Sequence, residues 1–126
     1  MYKIAGMMIA GFFLLLPISS AADDEQHSDG NALLADCGDA LKGKLSSATA
    51  FFKAGFCQGH IIGISSYNEY LNAVDAKRRV FCVPGSVTLN QNIRVVMKYL
   101  NEHPERLHFP DTLLIIEAFR ESFPCR

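Results

Sequence analysis

The sequence predicts an all-α protein, a small four-helix bundle stapled by two disulfides. Three observations carry this reading. Apolar residues recur at helical spacing in four separate segments, a cysteine falls in or beside each of them, and the chain opens with an export signal that directs it to an oxidising compartment. No run of alternating apolar and polar residues suggests a strand.

The export signal covers residues 1–21. Met1-Tyr2-Lys3 supplies a positive start, residues 4–16 an apolar stretch, and Ser19-Ser20-Ala21-Ala22 the small residues that a signal peptidase needs. An apolar run of about 13 residues is shorter than the roughly 20 that cross a bilayer as a helix. The segment therefore reads as cleaved and the mature protein as periplasmic, with no membrane contact afterwards. Residues 22–30 are polar, acidic and without period, which predicts a flexible mature N-terminus, and residues 31–126 form one helical domain. Of 12 basic and 13 acidic side chains only Lys3 belongs to the signal, so 11 face 13 and the mature net charge is −2. That balance offers no electrostatic basis for binding nucleic acid or an anionic membrane.

The first helix is predicted from Asn31, with Leu33, Leu34, Cys37 and Leu41 on its inner face and Lys42-Gly43-Lys44 at its end. The second should start at Ser46 or Ser47 and run to about Leu71. Phe52, Phe56, Gly59, Gly63, Ser66 and Tyr70 make one stripe along it, large at the ends and small in the middle. Gly55, Gly59 and Gly63 recur every fourth residue. Each glycine costs up to about 1 kcal/mol against alanine inside a helix, so three in series predict close packing against another helix. On that expectation, replacing Gly63 by leucine would overpack the contact. Residues 72–85 form a loop carrying Lys77-Arg78-Arg79 and ending at Cys82-Val83-Pro84-Gly85. Thr88 and Gln91 fit a capping box for a third helix with Leu89, Ile93, Val96, Met97 and Leu100 inside, stopped by Pro104. Pro110 suits the first position of a fourth helix, whose inner face is Leu114, Ile115, Ala118, Phe119 and Ser122. Phe123-Pro124-Cys125 closes the chain.

Candidate chemistry is sparse. Cys57 and His60 could meet at i, i+3, but a cysteine inside a helix lacks the dipole that lowers a thiol pKa, and using it as a nucleophile strands a partner cysteine. The cysteine intervals of 20, 25 and 43 positions contain no zinc knuckle. His103 and His108 flank a proline-containing connector, and Glu117 and Glu121 share a helix face that reads as solvated surface. No phosphate-cradling glycine loop is present. The reading is a binding protein, with no catalytic residue, no metal and no cofactor.

The segments GFCQGHIIG, FCVPGSVTLNQNIRVVMKYLNEHPERLHFPDTLLIIEAF and FPC together resemble the Rap/Tai family of type VI secretion amidase immunity proteins. The likeness spans residues 34–125. It implies a small, disulfide-containing, all-helical periplasmic protein that binds a peptidoglycan amidase effector and occludes its active site. It also implies scaffold roles for Cys57, Gly59, Gly63, Cys82, Pro84, Gln91, Tyr99, Leu100, Pro104, Glu105, Leu107, His108, Phe123, Pro124 and Cys125. A second reading is a chaperone-like periplasmic binding protein without a cognate toxin, and a homodimer stays open under either.

Four cysteines allow three connectivities. In a helical hairpin the end of the first helix approaches the start of the second, which favours Cys37 with Cys57 and, by the same geometry, Cys82 with Cys125. If the chain is an immunity protein, a loop can enter a catalytic cleft that a bundle face cannot. The expected docking element is then residues 72–80, with Lys77, Arg78 and Arg79 steering it towards carboxylates.

Overall fold

The computed structural model describes residues 28–42 and 45–126; the expected export signal, residues 1–21, and the expected flexible residues 22–27 lie outside them. Four helices follow in order: α1 (Gly30–Ala40), α2 (Ala48–Val74), α3 (Leu89–Glu102) and α4 (Asp111–Ser122). Short 3-10 turns at Ala76–Arg78 and Pro104–Arg106 lie between α2 and α3 and between α3 and α4. Among the described residues there is no strand, only an isolated bridge between Asp29 and Pro110. α1 packs mainly on α2 and α3 mainly on α4, giving two helical hairpins that share one core.

Helix starts follow local chemistry. Asp29 Oδ1 accepts from the backbone N–H of Ala32 at 2.9 Å, Ser47 Oγ from Ala50 at 3.1 Å and Thr88 Oγ1 from Gln91 at 3.3 Å, satisfying donors that have no partner within the first turn. Pro110 sits one residue outside α4, at its N-cap, rather than at the first helical position. Of residues 22–30, expected to form a flexible N-terminus, Ser28, Asp29 and Gly30 are described and are held in place, and the others lie outside the described residues. The Ser28 carbonyl accepts from Asp111 N–H at 3.0 Å, and Gly30 N–H donates to Phe109 at 3.2 Å, so this strap is fixed to the entrance of α4.

Both disulfides pair as hairpin geometry suggests, Cys37 with Cys57 and Cys82 with Cys125. The first is fully buried, together with Leu33, Ile61, Phe81, Ile93, Val96, Leu114, Ile115, Ala118 and Phe119. Three of the four expected inner faces hold. Ser122 of α4 is exposed, and Tyr99 joins the buried side of α3.

The exception is α2, whose expected inner stripe faces outwards. Phe52 is 74% and Tyr70 60% exposed, and a Cβ on Gly55, Gly59 or Gly63 would meet nothing within 4 Å among the described residues. The buried side is instead Ala54, Cys57, Ile61 and Asn68. The disulfide explains the reversal. Cys57 must face α1, and Gly55 and Gly59 stand two residues either side of it, about 200° around the helix. The predicted close packing of these three glycines within the domain is therefore wrong, and so is the expectation that leucine at position 63 would overpack it.

The glycine that close packing does require is Gly30. A Cβ there would lie 2.5 Å from Leu114 Cδ1 and 2.9 Å from Leu107 Cα, and a backbone atom cannot swing aside. Gly30→Ala is expected to cost about 1–3 kcal/mol. Gly63→Ala should gain up to about 1 kcal/mol from helix propensity alone. Thermal melts in dilute solution read both, and a loss of stability in Gly63→Ala would return the stripe to the interior.

Candidate functional site

Cys57 is bonded to Cys37 and wholly buried, so it has no thiolate to offer His60. Among the described residues no group of three His, Cys, Asp or Glu side chains could hold a metal ion. Two surface features remain that a partner could read: the segment after α2, and the outer face of α2 itself.

The segment at residues 75–82 is built from inside. Asn68, buried on α2, donates from Nδ2 to the Phe81 carbonyl at 2.9 Å, while its Oδ1 accepts from Val80 N–H at 2.8 Å and Phe81 N–H at 3.3 Å. One side-chain amide thus serves three backbone groups as the chain enters the core, and the two N–H groups among them have no other partner among the described residues. Phe81 is then buried with its ring centroid 5.0 Å from that of Phe119, and Cys82 is tied to Cys125. The Cys82 N–H also donates to Phe123 at 2.8 Å.

This construction divides the basic triplet. Arg79 turns inwards, pairing with Glu69 at 3.1 Å and donating from Nε to the Phe81 carbonyl at 3.2 Å. Lys77 and Arg78 stay exposed on the 3-10 turn, Arg78 with only a 3.9 Å approach to Asp75. Of the three expected steering charges, two point outwards and the third fastens the loop.

On the other side of α2, Gly55, Gly59 and Gly63 floor an open groove walled by Phe56, Ile64 and Tyr67 on α2 and by Thr112 and Ile116 on α4. His60 stands at its edge, with Nε2 3.1 Å from Thr112 Oγ1 and Nδ1 3.2 Å from Asp111 Oδ2. The second approach is not aligned as a hydrogen bond. Asp111 is held by its neighbour, accepting from the backbone N–H of Thr112 in the first turn of α4, where a carboxylate also meets the positive end of the helix. The cluster joins α2 to the start of α4.

Glu117, expected to be solvated surface, belongs to a third cluster. Tyr99 Oη donates to Glu117 Oε2 at 2.8 Å, and Arg106 pairs with the same oxygen at 2.6 Å, fastening the α3–α4 connector. Burial alone would raise the Glu117 carboxyl, but hydrogen bonds from Arg106 and Tyr99 outweigh it and hold the pKa below the usual value. Burial first, then the bond to Glu117, pushes the Tyr99 hydroxyl up to about 12. The depressed carboxyl contributes stability that is complete above its unfolded value near 4.5 and is lost as pH falls through its folded value. The raised phenol contributes stability that is complete below 10.0 and is lost as pH rises to about 12. Urea midpoints across pH should fall on both flanks, with a shallower acid flank in Glu117→Gln; identical acid flanks would remove Glu117 from the ledger.

The geometry defines a class first: a small, disulfide-tied helical scaffold presenting a fastened basic loop and an uncovered apolar face, the features of a protein that works by contacting another. Residues 29–125 match the family described as Rap1a immunity proteins, nearly the whole described chain. The chain belongs to that family. Comparisons with curated proteins and with solved structures return no match. Membership of an immunity family implies that the partner is a cognate toxin effector. Two disulfides fit an oxidising compartment, and among the described residues no helix is long and apolar enough to cross a membrane.

Sequence reasoning missed Asn68 and Tyr99. Asn68 follows Ala54, Cys57 and Ile61 at helical steps, so a face drawn through Cys57 would have reached it. Tyr99 carried only the family likeness.

Proposed function

We propose that this protein is the periplasmic immunity partner of a peptidoglycan amidase effector of a type VI secretion system, and that it protects the producing cell by occluding the effector's active site. The observation that carries the reading is the loop at residues 75–82: exposed at Lys77, Arg78 and Val80, yet fastened underneath by Asn68, Arg79 and the Cys82–Cys125 bond. A loop ordered before binding loses little conformational entropy on docking, and one that projects from a bundle can enter a cleft. Lys77 and Arg78 would meet carboxylates at the cleft rim and act on the association rate more than on final affinity. Cleavage of residues 1–21 would release the domain into the compartment where the amidase works.

The test is charge reversal confined to the two outward residues. Lys77→Glu with Arg78→Glu should leave the melting temperature unchanged and slow association with the amidase by about 10-fold or more at low salt, with a weaker salt dependence than wild type. Surface plasmon resonance across ionic strength measures both. An unaltered association rate and salt slope in the folded double variant would remove the loop as the electrostatic docking element. Arg79 is left intact because its loss would loosen the loop itself.

A further inference from the structure

We propose that the Cys82–Cys125 disulfide is a thiol–disulfide exchange site, opened in the folded protein by a dithiol of the Cys-x-x-Cys class, while Cys37–Cys57 stays closed to the same reagent. This goes beyond effector binding. It rests on the two bonds and their surroundings and needs no cognate toxin.

The two bonds stand in opposite environments. Cys37 and Cys57 share one buried core with Leu33, Ile61 and Ile93, and both are 0% exposed, so a thiolate meets them only when that core opens. Cys125 is exposed and Cys82 half-buried, the first past the end of α4 and the second ahead of α3. Exposed disulfides are the exchangeable ones. Beside the bond, Pro84, Pro124 and Arg126 are exposed as well, and with Cys82, Ser122 and Phe123 they line a surface hollow of about 400 Å³ in which the backbone around a Cys-x-x-Cys pair can rest.

The exchange proceeds in two steps. A thiolate of the incoming pair attacks Cys125 Sγ and forms a mixed disulfide as the Cys82–Cys125 bond breaks, its electron pair leaving on Cys82 Sγ, which takes a proton from water. The second thiol of the pair, deprotonated, then displaces Cys125 Sγ, which is protonated in turn. Two electrons pass from the dithiol, which ends as a disulfide, to Cys82 and Cys125, which end as thiols. The fold tolerates the loss. Phe81 stays buried against Phe119, Cys82 N–H still donates to Phe123 at 2.8 Å, and Asn68 still holds the Val80 and Phe81 N–H groups. Opening is therefore confined to the Cys82 side chain and residues 124–126, at the end of the basic loop.

The experiment uses oxidised protein purified from the periplasm, without denaturant, with reduced thioredoxin as the dithiol, iodoacetamide to trap free thiols and peptide mapping to locate them. Label is expected on Cys82 and Cys125 while Cys37–Cys57 persists and the helical circular dichroism is unchanged. A bond reached only by unfolding reacts in proportion to the unfolded fraction, on the order of 10⁻³ or less, so Cys37–Cys57 should lag by about 100-fold or more. A thioredoxin whose second cysteine is replaced by serine should be caught on Cys125, and an adduct on Cys37 or Cys57 overturns the proposal. Label entering all four cysteines in one phase, or none of them, overturns it too. So does loss of the helical signal as Cys82 and Cys125 react, since exchange would then be global unfolding. The double variant Cys82→Ser with Cys125→Ser should keep both the helical signal and the Cys37–Cys57 bond; an unfolded product would likewise sink the idea of a local opening. No effector enters these measurements, so their failure leaves the loop assignment untouched, and failure of the charge-reversal test leaves this site standing.

Discussion

Reduction of both disulfides is expected to lower unfolding stability by about 4–8 kcal/mol, taking typical contributions of 2–4 kcal/mol for each bond. The two bonds span 20 and 43 positions of the chain, and cross-links of that length remove much of the conformational freedom of the unfolded state. A domain of this size has only about 5–15 kcal/mol of net stability, so reduction should remove a large share of it. The bonds do different work. Cys37–Cys57 lies inside the core and sets the rotation of α2, whereas Cys82–Cys125 closes the segment before α3 onto the end of α4, next to the proposed docking loop. Urea unfolding with and without reductant measures the total. A reduced protein with an unchanged midpoint would mean that the helical core suffices and that the bonds serve only to fix the loop.

Asn68→Leu is expected to cost about 3 kcal/mol or more, because burying backbone groups without partners costs about 1–3 kcal/mol apiece. The Val80 and Phe81 N–H groups lose their acceptor, and the Phe81 carbonyl keeps only Arg79 Nε. Asn68→Asp, the same shape, should also destabilise, since an oxygen would then face the Phe81 carbonyl where a donor stands now. Hydrogen exchange locates the damage: protection at Val80 and Phe81 should fall before protection in α3 or α4. Trypsin should also cut faster after Lys77 or Arg78 in both variants, because the loop that carries them loses its anchor on α2. Equal protection across the loop in wild type and Asn68→Leu would show that Phe81 packing alone holds the segment. Under the proposed function the same variants should bind the amidase more weakly even though Lys77 and Arg78 are untouched, since part of the binding energy would go into ordering the loop.

The four helices, three of their inner faces, and the hairpin logic of the cysteine pairs were legible in the sequence because each depends on local or near-local regularity. Leu114, Ile115, Ala118 and Phe119 sit at helical spacing and are buried; Thr88 stands where a cap belongs and caps. The outer and inner faces of α2 were not legible, because Phe52, Phe56 and Tyr70 satisfy the same periodicity as Ala54, Cys57 and Ile61. Hydrophobic spacing shows that a helix has faces without showing which one the domain covers. Only the bond from Cys57 to Cys37 broke that degeneracy, leaving the glycines outside and requiring close approach at Gly30 instead. The division of the basic triplet was hidden for a related reason. Lys77, Arg78 and Arg79 are alike as sequence, and what separates them is the position of Glu69 and the Phe81 carbonyl, brought within reach of Arg79 by the end of α2. Sequence by itself determined the class of fold, the compartment it suits and the family likeness, since these rest on composition, spacing and motif. Tertiary structure decided which surface a partner can touch, because exposure is set by contacts between residues far apart in the chain.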